Sequence, residues 1–258
     1  MRLLLIFTLL LLLVSCDRES MLKKFSSPED QAAARAYIEQ LRAREFGEIE
    51  KAMDATVKTP TLHATLEQMA GLIPPGEPSS VKVVGAQTMK TPTATSVNTT
   101  FEFDFGGTWL LINVAVKTAG AATTIVGFQV RPEAQPLEVQ NRFSLTGKAP
   151  IQYIILGAAV LGALLSLYAL IVCVRTKVPG RKWPWVLFII FGVGKASVNW
   201  TTGQWAVQLI AVQLFSAAAI SALYGPWVIS AAVPVGAVAF LAYRRMRLSP
   251  SPIAGAAA

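Results

Sequence analysis

The residues suited to chemistry in this 258-residue chain are few and widely spaced. His63 is the single histidine, set among Thr59, Thr61 and Thr65. A hydrolase would have to assemble its nucleophile around it, yet no serine sits in the glycine-flanked elbow that such a nucleophile needs. One histidine without clustered acids is also poor metal ligation, so neither a metal nor a cofactor is expected. Glu102 and Asp104 stand two residues apart, as a general acid and base could. The same spacing puts two carboxylates on the solvated face of one strand, which is the reading adopted. Gly192, Gly194, Lys195 and Ser197 imitate a phosphate loop, but Ile189 stands where the first glycine belongs and Ala196 follows the lysine. Phe101, Phe103, Phe105 and Trp109 could line an apolar pocket, although a sheet buries just such a row against a helix.

The charge places these residues in two different settings. The chain is 53% hydrophobic and 15% charged, with a net charge of +8 and a mean hydropathy of +0.49. All fifteen acids lie between residues 17 and 148, where basic residues nearly balance them. Residues 149–258 hold no acid and eight bases: Arg175, Lys177, Arg181, Lys182, Lys195, Arg244, Arg245 and Arg247. Seven of these form two clusters flanking apolar segments. The basicity therefore reads as a membrane-topology signal and not as a nucleic-acid footprint.

Arg2 precedes an apolar run over residues 3–14, too short for a bilayer span and of the length of a signal-peptide core. Leu13, Val14, Ser15 and Cys16 resemble the lipobox of bacterial lipoproteins. That resemblance implies cleavage before Cys16 and its diacylation, with residues 1–16 as the signal peptide. Asp17 is similar to the inner-membrane retention mark of enterobacterial lipoproteins. The alternative is an uncleaved anchor. Either way Arg2 holds the N-terminus inside, and residue 17 onward lies outside the cytoplasm. With Cys173 in an apolar span, no disulfide framework is available to the exported domain.

The exported domain, residues 17–148, opens with a polar tether. Ser27 before Pro28, Glu29 and Asp30 is a helix start. Tyr37, Ile38, Leu41, Phe46, Ile49 and Met53 extend one apolar face to about Ala52. A second helix is expected over residues 62–70, and strands over 81–88, 95–105, 109–117 and 123–130. Two helices and a four-stranded antiparallel sheet form an α+β roll. This element order resembles cystatin-like and nuclear-transport-factor-like rolls.

The remainder, residues 149–247, is expected to be an all-α membrane bundle of about three transmembrane helices, over residues 151–174, 183–198 and 227–243. Ala158, Gly162 and Ser166 make a small-residue packing stripe. Pro234 and Gly236 predict a kink. Residues 199–226 form an exported or re-entrant loop, with a fourth span as the alternative. Trp205, Val207 and Leu209 alternate there with Gln204, Ala206 and Gln208 in a strand-like pattern. Asn199, Trp200, Thr201 and Thr202 would face the outer surface, Trp200 and Trp205 in the interfacial belt. With the Gly225–Trp227 turn, this motif resembles uncharacterised bacterial inner-membrane proteins, a likeness that implies no activity. Residues 248–258 read as a disordered tail.

These features point to a non-enzymatic envelope lipoprotein of the bacterial inner membrane. Its periplasmic domain would bind a ligand or partner, and its C-terminus would be cytoplasmic. The candidate surface comprises the four aromatic residues and Asn199–Thr202. Membrane lipid, another envelope protein or an apolar ligand are the expected partners. The competing reading is an envelope hydrolase or transferase, which would need Asp104 paired with His63. Transport by this chain alone is disfavoured, because Lys195 is the only ionisable group in the spans.

Overall fold

Ser27 caps the helix that follows it for the reason its residue type suggests: its hydroxyl accepts from the Asp30 amide at 3.2 Å, and the Asp30 carboxylate accepts from the Ser27 amide at 3.0 Å. The structure is a computed structural model that describes residues 25–247. The expected signal peptide with Cys16, the start of the expected tether and the expected tail over residues 248–258 lie outside the described residues. The chain divides between Gln140 and Asn141 into two units.

In the first unit, helix α1 spans Pro28–Arg42 and helix α2 spans Phe46–Ala52. The single helix expected to about Ala52 is therefore two. The five-residue step from Leu41 to Phe46 falls off a continuous helical stripe, and Arg44, at φ 61°, turns the chain between them. A 3-10 turn at Ala55–Val57 and helix α3, Leu62–Gly71, follow. Strands β1 (Ser80–Lys90), β2 (Thr95–Asp104), β3 (Trp109–Ala119) and β4 (Ala122–Glu133) then pair antiparallel in the order β1-β2-β3-β4. The helices bury Ile38, Leu41, Ile49 and Leu66 against Phe101 and Ile112 of the sheet.

The opposite face of this sheet is not simply solvated. Glu102 is buried and accepts from the Leu137 amide at 2.6 Å, at the start of the short helix α4, Leu137–Gln140. Asn113 donates to Asn98 at 2.5 Å and to Thr100 at 2.8 Å across the same face.

The second unit overturns the expected all-α bundle of three spans. Among the described residues it contains one membrane-length helix and a second four-stranded antiparallel sheet, which makes the chain α+β in both halves. Helix α5, Pro150–Arg175, is long and apolar enough to cross a membrane. Helix α6 (Trp183–Ile190) runs directly into strand β5 (Phe191–Asn199), and strand β8 (Trp227–Val233) into helix α7 (Val235–Arg247). Strands β6 (Trp205–Leu214) and β7 (Ala217–Ser221) complete the sheet in the order β6-β5-β8-β7.

Each expected span beyond α5 is thus half helix and half strand. Gly192 and Gly194 cost a helix about 1 kcal/mol apiece, and Gly194 takes φ 72°, so α6 stops at Ile190. Val228, Ile229 and Val233 favour extended chain. Pro234 marks the change from strand to helix and not a kink within a helix. The lengths agree: α5 is about 39 Å long, and each strand–helix element beside it is about 42 Å.

The buried residues of α5 are Gln152, Ile155, Ala159, Gly162, Ser166, Ala169 and Cys173, in alternating steps of three and four. This is one straight stripe down the helix. It runs through Ala159, whereas Ala158 of the expected stripe is exposed. The N-terminal half of the stripe packs on the sheet, with Ile155 and Ala159 against Val198, Ile229 and Ala231. The C-terminal half packs on helices, with Ala169 and Cys173 against Ile189, Ala237 and Phe240. Small residues are needed where the chain crosses between the two edge strands at Phe215 and Ser216, both at positive φ. Ser216 is buried, its hydroxyl 3.4 Å from that of Ser166, and a Cβ on Gly192 would stand 2.5 Å from it.

Candidate functional site

The aromatic row in the first unit does not form a pocket mouth. Phe101 and Phe103 are core residues, 1% and 0% exposed. Phe105 is half-buried, stacked on Phe103 at 6.2 Å and covered by the Arg42 guanidinium at 6.0 Å. Trp109, also half-buried, pairs with Asp104 and Glu133 at a sheet corner.

His63 borders an open depression of about 540 Å3 lined by Gly47, Glu50, Lys51, Lys58 and Pro60. Its Nδ1 is 2.6 Å from Glu50 Oε1, and its Nε2 is 3.6 Å from Glu67. The hydrogen bond His63 donates to Glu50 raises the His63 pKa above its ordinary value. Asp104 is engaged elsewhere, accepting from the Gly107 amide at 2.9 Å. The nearby hydroxyls also turn away: Thr59 and Thr61 bond each other at 3.2 Å, and Thr65 donates to the Thr61 carbonyl at 2.9 Å. An imidazole held by two carboxylates, with no hydroxyl bonded to it, is an ion-pair site. Among the described residues, no group of three or more His, Cys, Asp or Glu could hold a metal.

One polar cluster was invisible to sequence reasoning. Asp54 accepts from the Thr56 amide at 3.0 Å, the Thr56 hydroxyl at 2.7 Å, Lys117 at 3.2 Å and Thr124 at 3.1 Å. These donors, the Thr56 amide foremost, hold its carboxyl well below the usual carboxylate range. Its own amide donates to the Ile125 carbonyl at 2.9 Å, which fastens the 3-10 turn to β4. No local pattern announces partners more than sixty residues away.

In the second unit, Asn199–Thr202 is a turn tied to the start of α5. Asn199 Oδ1 accepts from the amides of Thr201 and Thr202 at 2.9 and 3.0 Å, an Asx turn. Thr201 donates to Asn141 at 2.9 Å, and Thr202 is exposed. Trp200 is buried instead of sitting in an interfacial belt: its indole donates to the Ser144 carbonyl at 2.8 Å and stacks on Phe143 at 5.1 Å. Gln152 joins both ends, donating to the Trp200 carbonyl and accepting from the Ala149 amide, each at 2.7 Å. Asn199, Trp200 and Thr201 are thus engaged within the turn, and Trp205 is exposed.

One cavity of this unit lies between α5 and the sheet. It measures about 690 Å3 and is lined by Ala158, Leu161 and Leu165 of α5, Val207 and Leu209 of β6, and Val233–Val235. Lys195 is the only charged residue along it and Gln208 the only other polar one. Glycine shapes the opening: Leu209, Ile210 and Ala211 of β6 stand opposite Gly194 alone, in a bulge between the Val193–Val212 and Lys195–Gln208 pairs.

The chain matches no known protein family, no curated protein and no solved structure.

Proposed function

We propose that the protein is a non-enzymatic membrane lipoprotein of the bacterial envelope, a ligand- or partner-binding module held in the inner membrane. The observation that carries this reading is the exposed face of α5. While one stripe packs inward, Ile154, Leu161, Leu164, Tyr168, Ile171 and Val174 stay exposed along the helix. Water would penalise such a face at about 25 cal/mol per Å2, and acyl chains would accept it.

Charge orients the helix. Trp185 of α6 stacks on Tyr243 of α7 at 5.0 Å, and Val172 and Cys173 of α5 belong to the same cluster, so Arg175, Lys177, Arg181 and Lys182 share one end with Arg244, Arg245 and Arg247. The positive-inside rule puts that end in the cytoplasm, and with it the C-terminus. Residues 17–148 are then periplasmic, in agreement with a lipobox at Cys16. Strand β6 is an edge strand whose Trp205, Val207, Leu209 and Ile210 are exposed, and it is the surface offered to a partner.

Fractionation and protection of the full chain in intact bacterial cells test this reading. The protein should stay with membranes after alkaline carbonate washing. Protease added to spheroplasts should digest the first unit and spare a C-terminal tag. A photo-crosslinker at Ile210 should give a discrete adduct. Release by carbonate, a digested tag or the absence of a discrete adduct would each overturn the corresponding part.

A further inference from the structure

We infer that the basic end of the second unit is a site for one phospholipid carrying two phosphates, held between the loop after α5 and the last turn of α7. The inference rests on the membrane-embedded reading above and adds a ligand class to it.

The first observation is convergence. Gly236 of α7 lies against Phe188 of α6, and the Trp185 ring meets Phe240 at 5.4 Å and Tyr243 at 5.0 Å. The two helices are therefore antiparallel, and Lys182 at the start of α6 stands level with the last turn of α7. Arg244 and Arg247 follow Phe240 and Tyr243 by four residues each, so they continue the face that α7 turns to α6. Lys182 precedes Trp185 by three residues and continues the matching face of α6. Its ammonium donates to the Val174 carbonyl at 3.1 Å, at the end of α5 beside Arg175. Val178 is buried in the same cluster, which folds the loop bearing Lys177 and Arg181 onto this end.

The second observation is charge without a counter-ion. Residues 149–258 contain no Asp or Glu, so the unit cannot neutralise these cations itself. The ion pairs among the described residues join side chains of the first unit. Like charges gathered without an acid repel one another, and a bound anion relieves that repulsion and stabilises the fold. One cluster comes from the end of α5 and the loop after it, the other from α7. An anion with two phosphates engages both at once.

The third is the surface that borders the cations. Ile171 and Val174 on α5 and Trp183 on α6 are exposed within about one turn of Arg175 and Lys182. Acyl chains cover such residues while the guanidinium forks take the phosphate oxygens. Basic clusters at the cytoplasmic ends of membrane helices suit anionic headgroups for this reason. A free inorganic anion has nothing to cover the apolar residues. A nucleic acid would bring a hydrated backbone against them, and a zwitterionic lipid brings a cation of its own.

The test uses the full chain in mild non-ionic detergent, titrated with cardiolipin, phosphatidylglycerol or phosphatidylcholine and read by native mass spectrometry. Wild type should bind cardiolipin best and phosphatidylcholine least. Arg247→Gln should weaken cardiolipin binding about fivefold. Arg247→Lys keeps the charge and should retain most of the affinity. Arg245→Gln, in the same turn but off the face turned to α6, should change it little. Equal binding of cardiolipin and phosphatidylcholine by wild type would overturn the site. So would an affinity unchanged in Arg247→Gln, an equal loss in Arg245→Gln, or displacement of cardiolipin by inorganic phosphate or a short single-stranded RNA. Carbonate extraction of the same cells separates the two readings: a chain that stays in the membrane without lipid preference refutes only the lipid site.

Discussion

Gly236 of α7 lies against the backbone of Phe188 in α6, so close that a Cβ on Gly236 would stand 1.8 Å from the Phe188 carbonyl oxygen. The obstacle is backbone, which cannot swing aside as a side chain does. Gly236→Ala must therefore separate the two helices that close the basic end of the unit, and should cost about 3 kcal/mol or more. Gly157→Ala on α5 is the control, because nothing lies within 4 Å of its added methyl. Thermal unfolding of the full chain in detergent should show a large drop for Gly236→Ala and none for Gly157→Ala. A normal midpoint for Gly236→Ala would mean that α6 and α7 do not touch in this way.

Trp200 joins the turn at Asn199–Thr202 to the start of α5, and its two roles can be measured separately. Trp200→Phe keeps the stack on Phe143 but leaves the Ser144 carbonyl without its donor, a loss of about 1 kcal/mol. Trp200→Ala removes the ring as well and should cost about 3–5 kcal/mol. The midpoints should fall in that order. Equal losses would assign the whole effect to the hydrogen bond.

The proposed lipidation at Cys16 can be tested separately from the proposed anchoring through α5. Cys16→Ser should leave a heavier, unprocessed precursor on a denaturing gel, while carbonate extraction still finds the chain in the membrane. A mature mass unchanged by the substitution would refute the lipobox resemblance.

Period and punctuation decided how much of the fold was legible. In the first sheet, Phe101, Phe103 and Phe105 alternate with Glu102 and Asp104, and Gly106 and Gly107 supply the positive φ that the turn into β3 requires. In the second sheet β5 and β8 consist mostly of small and apolar residues, so periods of 2 and 3.6 cannot be told apart, and an apolar run passes for a span. The glutamines of β6 broke that uniformity and revealed extended chain. Burial of Glu102 was illegible because its cover, Leu137, comes 35 residues later. The cavity beside α5 was illegible because it exists only once α5, β5, β6 and β8 are assembled.

The pairing of His63 with Glu50 makes one pH-dependent contribution whose sign is fixed. His63 is the one histidine, and its pKa is raised by the hydrogen bond it donates to Glu50. The folded state therefore binds the proton more tightly than the unfolded chain does. The stabilisation is fully present below the ordinary histidine value of about 6.5 and is lost as pH rises through the higher folded value. Because the site is exposed, the effect should be small and should weaken with added salt. Glu50→Gln should return the His63 titration, read from its single imidazole resonance, to the ordinary range. Glu67→Gln should move it less, since Glu67 stands 3.6 Å away and makes no hydrogen bond to the ring. A titration that Glu50→Gln leaves in place would show that the 2.6 Å contact does not form in solution.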